Sequence, residues 1–414
     1  MTARGFAART FRPFHTRNYR LFFFGQIVSV TGTWMQSVGQ AWLVLKLTNS
    51  GTALGMIIAL QTLPILVGAP WGGVVADRFN KRRVLVGTQL AAGILALILG
   101  ILTLTGVVQL WMVGLLAVGL GCVNMVDIPV RQSFVLEMVG RDHLINAITL
   151  NSVIMNGARI IGPAIAAVLI ATVGLAPCFL GNAASYVAVV LALLAIREGQ
   201  LYRATPAARA PGQLLEGFRY VWHTPALRTP LLTMALVGTF AYEFQVTLPL
   251  LARFTFHAGA SGYGAMSSFM GAGAVVGGLI VAAVGRASGR RLGVASALFG
   301  VLIIGCALAP PPPAELLLIT LTGAASIFFA AMANTTIQLA AAPQMRGRVM
   351  ALYSMAFMGS TPIGGPIVGF VGQAFDPRAG LALGGIAALL AAILAWRSLS
   401  TLRPYASATG QIAA

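Results

Sequence analysis

Twelve apolar stretches, each about long enough to cross a bilayer, fill this 414-residue chain, and nearly all of its positive charge lies in alternate gaps between them. A helix needs about 20 consecutive apolar residues to cover about 30 Å of hydrocarbon. The stretches fall near 19–46, 50–76, 84–105, 109–131, 144–172, 174–196, 230–256, 262–285, 289–309, 314–339, 346–372 and 379–398. Hydrophobic residues make up 58% of the chain and charged residues only 9%, far below the roughly 25% charged of a soluble domain. The pattern predicts an all-α membrane protein of twelve transmembrane helices.

The formal net charge of +18 is explained by where the charges sit. With the N-terminus inside, all but four of the 27 Lys and Arg residues fall in cytoplasmic segments. The exceptions are Lys46, Arg253 and Arg378 near the outer face and Arg159 within a span. This is the positive-inside asymmetry of short membrane loops, and it predicts both termini in the cytoplasm of a multi-pass protein of the cell's inner (plasma) membrane. Nucleic-acid binding would need a basic surface on a folded soluble domain, which no segment here can build. The first stretch is too long for a signal-peptide core and lacks a small-residue cleavage site, so it reads as an uncleaved helix. Cys122, Cys178 and Cys306 lie inside spans without metal-ligand spacing, so neither a metal site nor another cofactor is expected.

One long interruption, residues 197–229, separates a bundle of six spans over 1–196 from a second over 230–414. Its middle is rich in Ala, Pro and Arg up to Pro211, and Gln213 to His223 reads as a short amphipathic helix suited to lying flat on the cytoplasmic leaflet. The prolines at 310–313 mark an outer turn. Gly162-Pro163 in span 5 recurs as Gly365-Pro366 in span 11, and His15-Thr16 before span 1 recurs as His223-Thr224 before span 7. Parallel six-helix repeats of this kind are one architecture that places a transport site between its halves. Glycines four apart, Gly68 with Gly72, Gly273 with Gly277 and Gly365 with Gly369, mark faces where helices can approach closely.

At the cytoplasmic end of span 2 stands Gly73-Val-Val-Ala-Asp77-Arg78-Phe-Asn80-Lys81-Arg82-Arg83. It resembles the loop signature of the major facilitator superfamily, with Asn80 where a second glycine is usual; Asn is expected to tolerate a left-handed turn there. The equivalent stretch of the second half, Gly285-Arg286-Ala-Ser-Gly289-Arg290-Arg291, keeps the basic end and lacks the aspartate. The resemblance implies the major facilitator fold, two pseudo-symmetric six-helix bundles working by alternating access. It also implies a cytoplasmic latch. Asp77 would accept hydrogen bonds at the start of span 11 near Arg346, Lys81 would reach Asp127, and Arg78 and Arg131 would complete the cluster. Asp127-Ile-Pro-Val-Arg131, Asn156-Gly157-Ala-Arg159-Ile-Ile-Gly162-Pro163 and Arg346-Gly-Arg348 are similar to the branch that includes the enterobactin exporter and related drug-efflux proteins. Gly157, Gly162 and Pro163 overlap the superfamily's exporter motif, although Ala166 and Ala167 replace its trailing glycines.

A charge inside hydrocarbon costs at least about 2.5–3.5 kcal/mol at mid-helix. Arg159 in span 5 and Glu243 in span 7 both fall near mid-depth and are expected to pair. Burial disfavours the charged carboxylate and pairing favours it, so Glu243 is the leading proton carrier, with a permanent ion pair as the alternative. Span 1 carries Gln26, Ser29, Thr33, Gln36 and Gln40 at steps of three and four, a single helical face. With Asn124, Gln245 and Asn334 on other helices, Gln36 and Gln40 are expected to line a substrate cavity, interhelical hydrogen bonding being the alternative.

These readings predict a monomeric secondary transporter that exports a small amphipathic compound, a siderophore or hydrophobic drug, in exchange for protons. A proton- or sodium-coupled importer is the alternative, since sequence does not fix direction. The chain lacks a Gly-rich phosphate loop followed by Lys-Ser/Thr, so ATP is not the expected energy source. Clustered mid-membrane acids, histidines or nucleophiles, which a membrane enzyme needs, are not seen.

Overall fold

The computed structural model describes residues 12–202, 213–284, 288–309 and 314–399. The prolines at 310–313, the Pro-rich part of the linker and the Gly285-Arg286 end of the second loop lie outside these residues. Among those described, the regular structure is entirely helical. The first six spans are α1 (Arg17–Thr48), α2 (Gly51–Arg78), α3 (Lys81–Leu104), α4 (Leu110–Gly140), α5 (Asp142–Thr172) and α6 (Ala176–Leu194). The linker helix is α7 (Gln213–His223). Span 7 comprises α8 (Pro225–Phe240) and α9 (Phe244–Leu250), continued by a π-helical turn over Leu251–Thr255. Then follow α10 (Gly259–Val284), α11 (Gly289–Leu308) and α12 (Ala314–Ala340). Span 11 comprises α13 (Arg346–Met358) and α14 (Thr361–Ala374), and α15 (Pro377–Leu399) closes the described chain. Eleven of the spans are long and apolar enough to cross a membrane. The remaining one, α1, is 32 residues long and carries the polar stripe.

Spans 7 and 11 were expected to be continuous, and each is broken. Span 7 breaks over residues 241–243, with Glu243 capping α9 in a non-helical conformation (φ −80°, ψ 38°). Span 11 breaks at Gly359-Ser360, where Thr361-Pro362 begins a new helix. Proline suits that first turn because its missing N–H would be unpaired there anyway. Asn80 was expected in a left-handed turn. It is instead extended (φ −63°, ψ 110°) and caps α3, its side chain accepting a hydrogen bond from the Arg83 amide at 3.1 Å. Ser288 caps α11 in the same way, accepting from the Arg291 amide at 3.3 Å. Thr16 and Thr224 stand at the N-caps of α1 and α8. The repeated dipeptide and the two capping residues thus mark helix starts at one common offset, 16 to 224 and 80 to 288.

Backbone contacts divide the chain into two compact units. One holds Met1–Ala208 with His257–Gly271, and the other holds Arg209–Phe256 with Ala272–Ala414. Within the first unit α1 packs on α5 and α6, α2 on α4, and α3 on α6. Its core is built from Tyr19, Phe22, Leu85, Phe134, Met138 and Leu193. Gly140 is the one residue with non-helical torsions where α4 gives way to α5. Its φ of 72° lies in the left-handed region that glycine enters without a Cβ penalty, and the Tyr202 ring covers it. In the second unit α11 packs between α12 and α15, α8 packs on α13 and α15, and the linker helix α7 docks on α13.

The docking of α7 refines the expectation of a helix lying flat. Gly217 and Val221 are buried, and Glu216 bridges Arg348 at 2.6 Å. The Tyr220 hydroxyl accepts a hydrogen bond from the Ala342 amide at 3.3 Å. Phe218 and Trp222, one turn apart and stacked at 5.8 Å, remain exposed.

Candidate functional site

The signature loop between α2 and α3 puts its basic residues to work inside the first unit. Arg82 donates from Nε to the Leu193 carbonyl at 2.7 Å, from Nη2 to the Leu194 carbonyl at 2.6 Å and from Nη1 to Glu198 at 2.7 Å. A guanidinium at a helix C-terminus satisfies carbonyls left without an intrahelical donor and complements the negative end of the dipole. Lys81 does not reach Asp127, as the family resemblance implied. Its ammonium pairs with Glu137 at 2.5 Å, both side chains being about seven-eighths buried. The reason lies in α4, which continues past residue 131, where its apolar stretch ends, to Gly140 and so carries Glu137 to the loop. Of the other latch residues, Gly73 is buried, Asp77 is half-buried, and Arg78 and Arg346 are exposed.

Asp127 is buried within the first unit and satisfied there. It pairs with Arg131 at 2.9 Å, one turn further along α4. Its other oxygen accepts from Thr88 Oγ1 and Gln89 Nε2, each at 2.8 Å. Arg131 donates onward to Gln26 Oε1 at 3.2 Å, linking α4 to the polar stripe of α1. A buried carboxylate held by a guanidinium and two neutral donors has its acceptor sites well filled.

Four of the five stripe residues are turned into the unit, while Thr33 is exposed. Gln26, Ser29, Gln36 and Gln40 are all buried. Gln36 accepts from Asn182 Nδ2 on α6 at 2.7 Å, and Gln40 donates to Gln61 on α2 at 3.0 Å. Ser185 donates to Asn182 at 2.9 Å. The geometry therefore supports interhelical bonding, the alternative weighed for these residues, over the cavity lining expected of Gln36 and Gln40. Asn182 was missed by the sequence reading because a single amide in an otherwise apolar span shows no periodicity. Asn124 is half-buried on α4 and Gln245 exposed on α9. Asn334, half-buried on α12, accepts from Gln338 at 2.5 Å, and the Tyr353 hydroxyl nearby donates to the Ala330 carbonyl at 3.3 Å.

Arg159 is half-buried on α5, its guanidinium 5.0 Å from the centroid of the Trp34 ring on α1, a separation at which a cation is attracted by the aromatic face. Gly162, one turn on, is where α5 meets α1. A methyl there would stand 2.6 Å from Trp34 Cβ and 2.8 Å from the Thr31 carbonyl. Nothing lies within 4 Å of a methyl at Gly157, so that glycine is not a packing requirement. Pro163 sits inside α5, and its carbonyl would be 2.7 Å from a methyl at Gly264.

Glu243 stands at the break of span 7 in the second unit, 3% exposed. Its Oε1 has no hydrogen-bond partner among the described residues, and α14, which begins at Thr361, comes up against it. Its own carbonyl accepts from the Val246 and Thr247 amides at 2.9 and 3.0 Å, starting α9. The second break, in span 11, is thus the element that meets the first. Gly364 allows it, since a methyl there would clash with the Thr239 carbonyl and approach Glu243 Oε1 to 3.0 Å. The neighbouring Tyr242 donates to the Ser326 carbonyl on α12 at 2.5 Å and packs edge-on against Phe357.

Comparison with known proteins matches residues 8–410 to the family described as transmembrane secretion effectors, of the major facilitator superfamily. The multidrug efflux pump Tap of Mycolicibacterium fortuitum is 26% identical over 83% of this chain and 86% of its own. The enterobactin exporter EntS of Citrobacter koseri is 24% identical over 94% of this chain and 93% of its own. The staphyloferrin A transporter of Staphylococcus aureus is 25% identical over 69% and 72%. Among solved structures, the nucleoside transporter NupG superposes with a TM-score of 0.73 at 15% identity, covering 93% of this chain and 98% of that one. A bacterial homologue of the iron transporter ferroportin gives 0.71 at 15%, covering 93% and 99%. At such identities these structures share the fold.

Proposed function

We propose that this chain, which belongs to the transmembrane secretion effector family of the major facilitator superfamily, exports a small amphipathic compound, a siderophore or a hydrophobic drug, by alternating access. Relatives named for enterobactin export and multidrug efflux, aligned over most of the chain, support the substrate class and the direction. The positive-inside pattern supports a cytoplasmic N- and C-terminus in the cell's inner membrane. The division into 1–196, the linker 197–229 and 230–414 carries over to this reading as its two moving halves and their tether.

The energy source in this reading is inward proton flow, and the observation that carries it is Glu243. It is buried with one oxygen lacking a hydrogen-bond partner among the described residues, and it sits where two broken spans of one unit meet. A break frees backbone groups that hydrocarbon cannot satisfy, so this part of the helix is where the unit can change its hydrogen bonding. In the proposed cycle Glu243 takes a proton from outside and releases it inside, and Arg159 is the opposing charge that substrate or proton displaces. Of the latch that the family resemblance implies, Asp77, Arg78 and Arg346 keep that role in this reading, while Lys81, Asp127 and Arg131 are engaged within the first unit.

The decisive experiment compares accumulation of candidate drugs and catechol siderophores in cells with and without the protein, with and without an uncoupler. Export predicts lower accumulation in expressing cells, abolished by the uncoupler. An importer predicts higher accumulation. Glu243→Gln, folded and inserted normally, is expected to lose proton-driven transport, and full proton-coupled export by that variant overturns the role of Glu243.

A further inference from the structure

The second unit buries another acid that this cycle leaves unused. Glu315, second residue of α12, is fully buried, and neither carboxylate oxygen has a hydrogen-bond partner among the described residues. An ionised carboxylate in that position would forgo several hydrogen bonds that water offers, whereas the neutral acid forgoes far less. The partial positive charge of the helix start offsets only part of the difference. The charged and titratable side chains acting on it are Arg378 at the start of α15 and Cys306 on α11. Arg378 acts through space. Its Nη1 lies 3.5 Å from the Ala307 carbonyl and its guanidinium 5.8 Å from the Phe256 ring centroid.

Below Glu315 the same face of α12 continues with polar groups. Thr322 and Ser326, seven and eleven positions on, fall within about 20° of it around the helix, and both are buried. Thr322 Oγ1 is 3.4 Å from Cys306 Sγ. The Ser326 carbonyl accepts from Tyr242, whose chain neighbour is Glu243. At 1.5 Å per residue the row covers about 16 Å of helix. The Ser326 hydroxyl donates to the Gly323 carbonyl of its own helix at 2.7 Å, so the row offers hydroxyl and thiol groups in sequence between the two acids.

We propose that Glu315 is a second proton-binding site, on the outer side of the same unit, loaded before Glu243 and joined to it along this face of α12. The proposal rests on the proton-antiport reading and on the orientation given above. Chemically, an O–H bond forms on the Glu315 carboxylate with a proton from the outer solution, and it breaks as one forms on Glu243. Arg378 supplies the counter-charge that the ionised form meets in between, and no group is oxidised or reduced.

The test uses the full-length protein in proteoliposomes and the conservative variant Glu315→Gln. Infrared difference spectra on raising the pH are expected to show a protonated-carboxyl band in the wild type that is absent from the variant. Proton-driven export is expected to fall at least tenfold and lose its dependence on outside pH, while gradient-free counterflow of substrate stays within twofold of wild type. An unchanged carboxyl spectrum, or a wild-type outside-pH profile in the variant, overturns the proposal. If the wild type proves insensitive to uncoupler, the antiport reading falls by itself, and the infrared band still decides whether Glu315 takes a proton. Should Glu315→Gln not fold, Glu315→Asp replaces it, with a shifted carboxyl band expected and an unshifted one counting against.

Discussion

Lys81 pairs with Glu137 at 2.5 Å, ten residues beyond the Asp127 carboxylate that the loop signature offers it. The two acids therefore do different work. Glu137 ties the signature loop to the extended end of α4, and Asp127 ties α4 to α1 and α3 through Arg131, Gln26, Thr88 and Gln89.

A double-mutant cycle separates these roles. Lys81→Met and Glu137→Gln are expected to be coupled by about 1–3 kcal/mol in unfolding stability, because removing one partner strands a mostly buried charge. Lys81→Met and Asp127→Asn are expected to add to within about 0.5 kcal/mol. Reversible unfolding in mixed micelles measures both, and the opposite pattern of coupling would restore the Asp127 assignment.

Asp127→Ala removes the acceptor for Thr88, Gln89 and Arg131 together. A loss of about 3–5 kcal/mol is expected, the range for breaking a buried pair, and a thermal-shift assay on purified protein reads it. A loss under about 1 kcal/mol would mean that water enters and replaces the carboxylate.

The two motif glycines of α5 are expected to part company. Gly162→Ala forces a methyl against Trp34 and the Thr31 carbonyl, an overpacking change that costs about 1–3 kcal/mol. Gly157→Ala meets open space, loses no contact and favours the helix by up to about 1 kcal/mol. Equal stability losses at both positions would show that α5 does not pack on α1 as described.

Gln36→Ala leaves the Asn182 amide buried without its acceptor, at a cost of about 1–3 kcal/mol. Because the side chain is spent on α6, the relative efflux of different substrates is expected to stay the same. A changed substrate profile at unchanged stability would return Gln36 to the cavity wall.

The sequence located eleven of the twelve helical segments to within about five residues at each end, because hydropathy reports directly on what hydrocarbon will accept. It misplaced the partner of Lys81 for the same reason. Hydropathy marks where the bilayer ends, whereas α4 continues as a helix to Gly140 and carries Glu137 with it. The break in span 11 had a readable sign in Thr361-Pro362. The break in span 7 had none, since Phe240-Ala241-Tyr242-Glu243 contains no glycine or proline and is set by contacts with α14 and α12. The stripe of α1 was visible from its spacing, but the spacing says only that one face is polar. Whether amides on neighbouring helices meet it depends on Asn182 and Gln61, single residues that no pattern picks out.

A break confined to one residue has a mechanical consequence. Gly140 is the one residue between the fourth and fifth spans with non-helical torsions, so a change of angle between them falls on a single pair of torsions. Any side chain at that position would stiffen the pivot and bias the resting angle. The carboxylate network on one span and the arginine over its tryptophan on the next therefore lie on either side of one hinge, like two arms on one spindle.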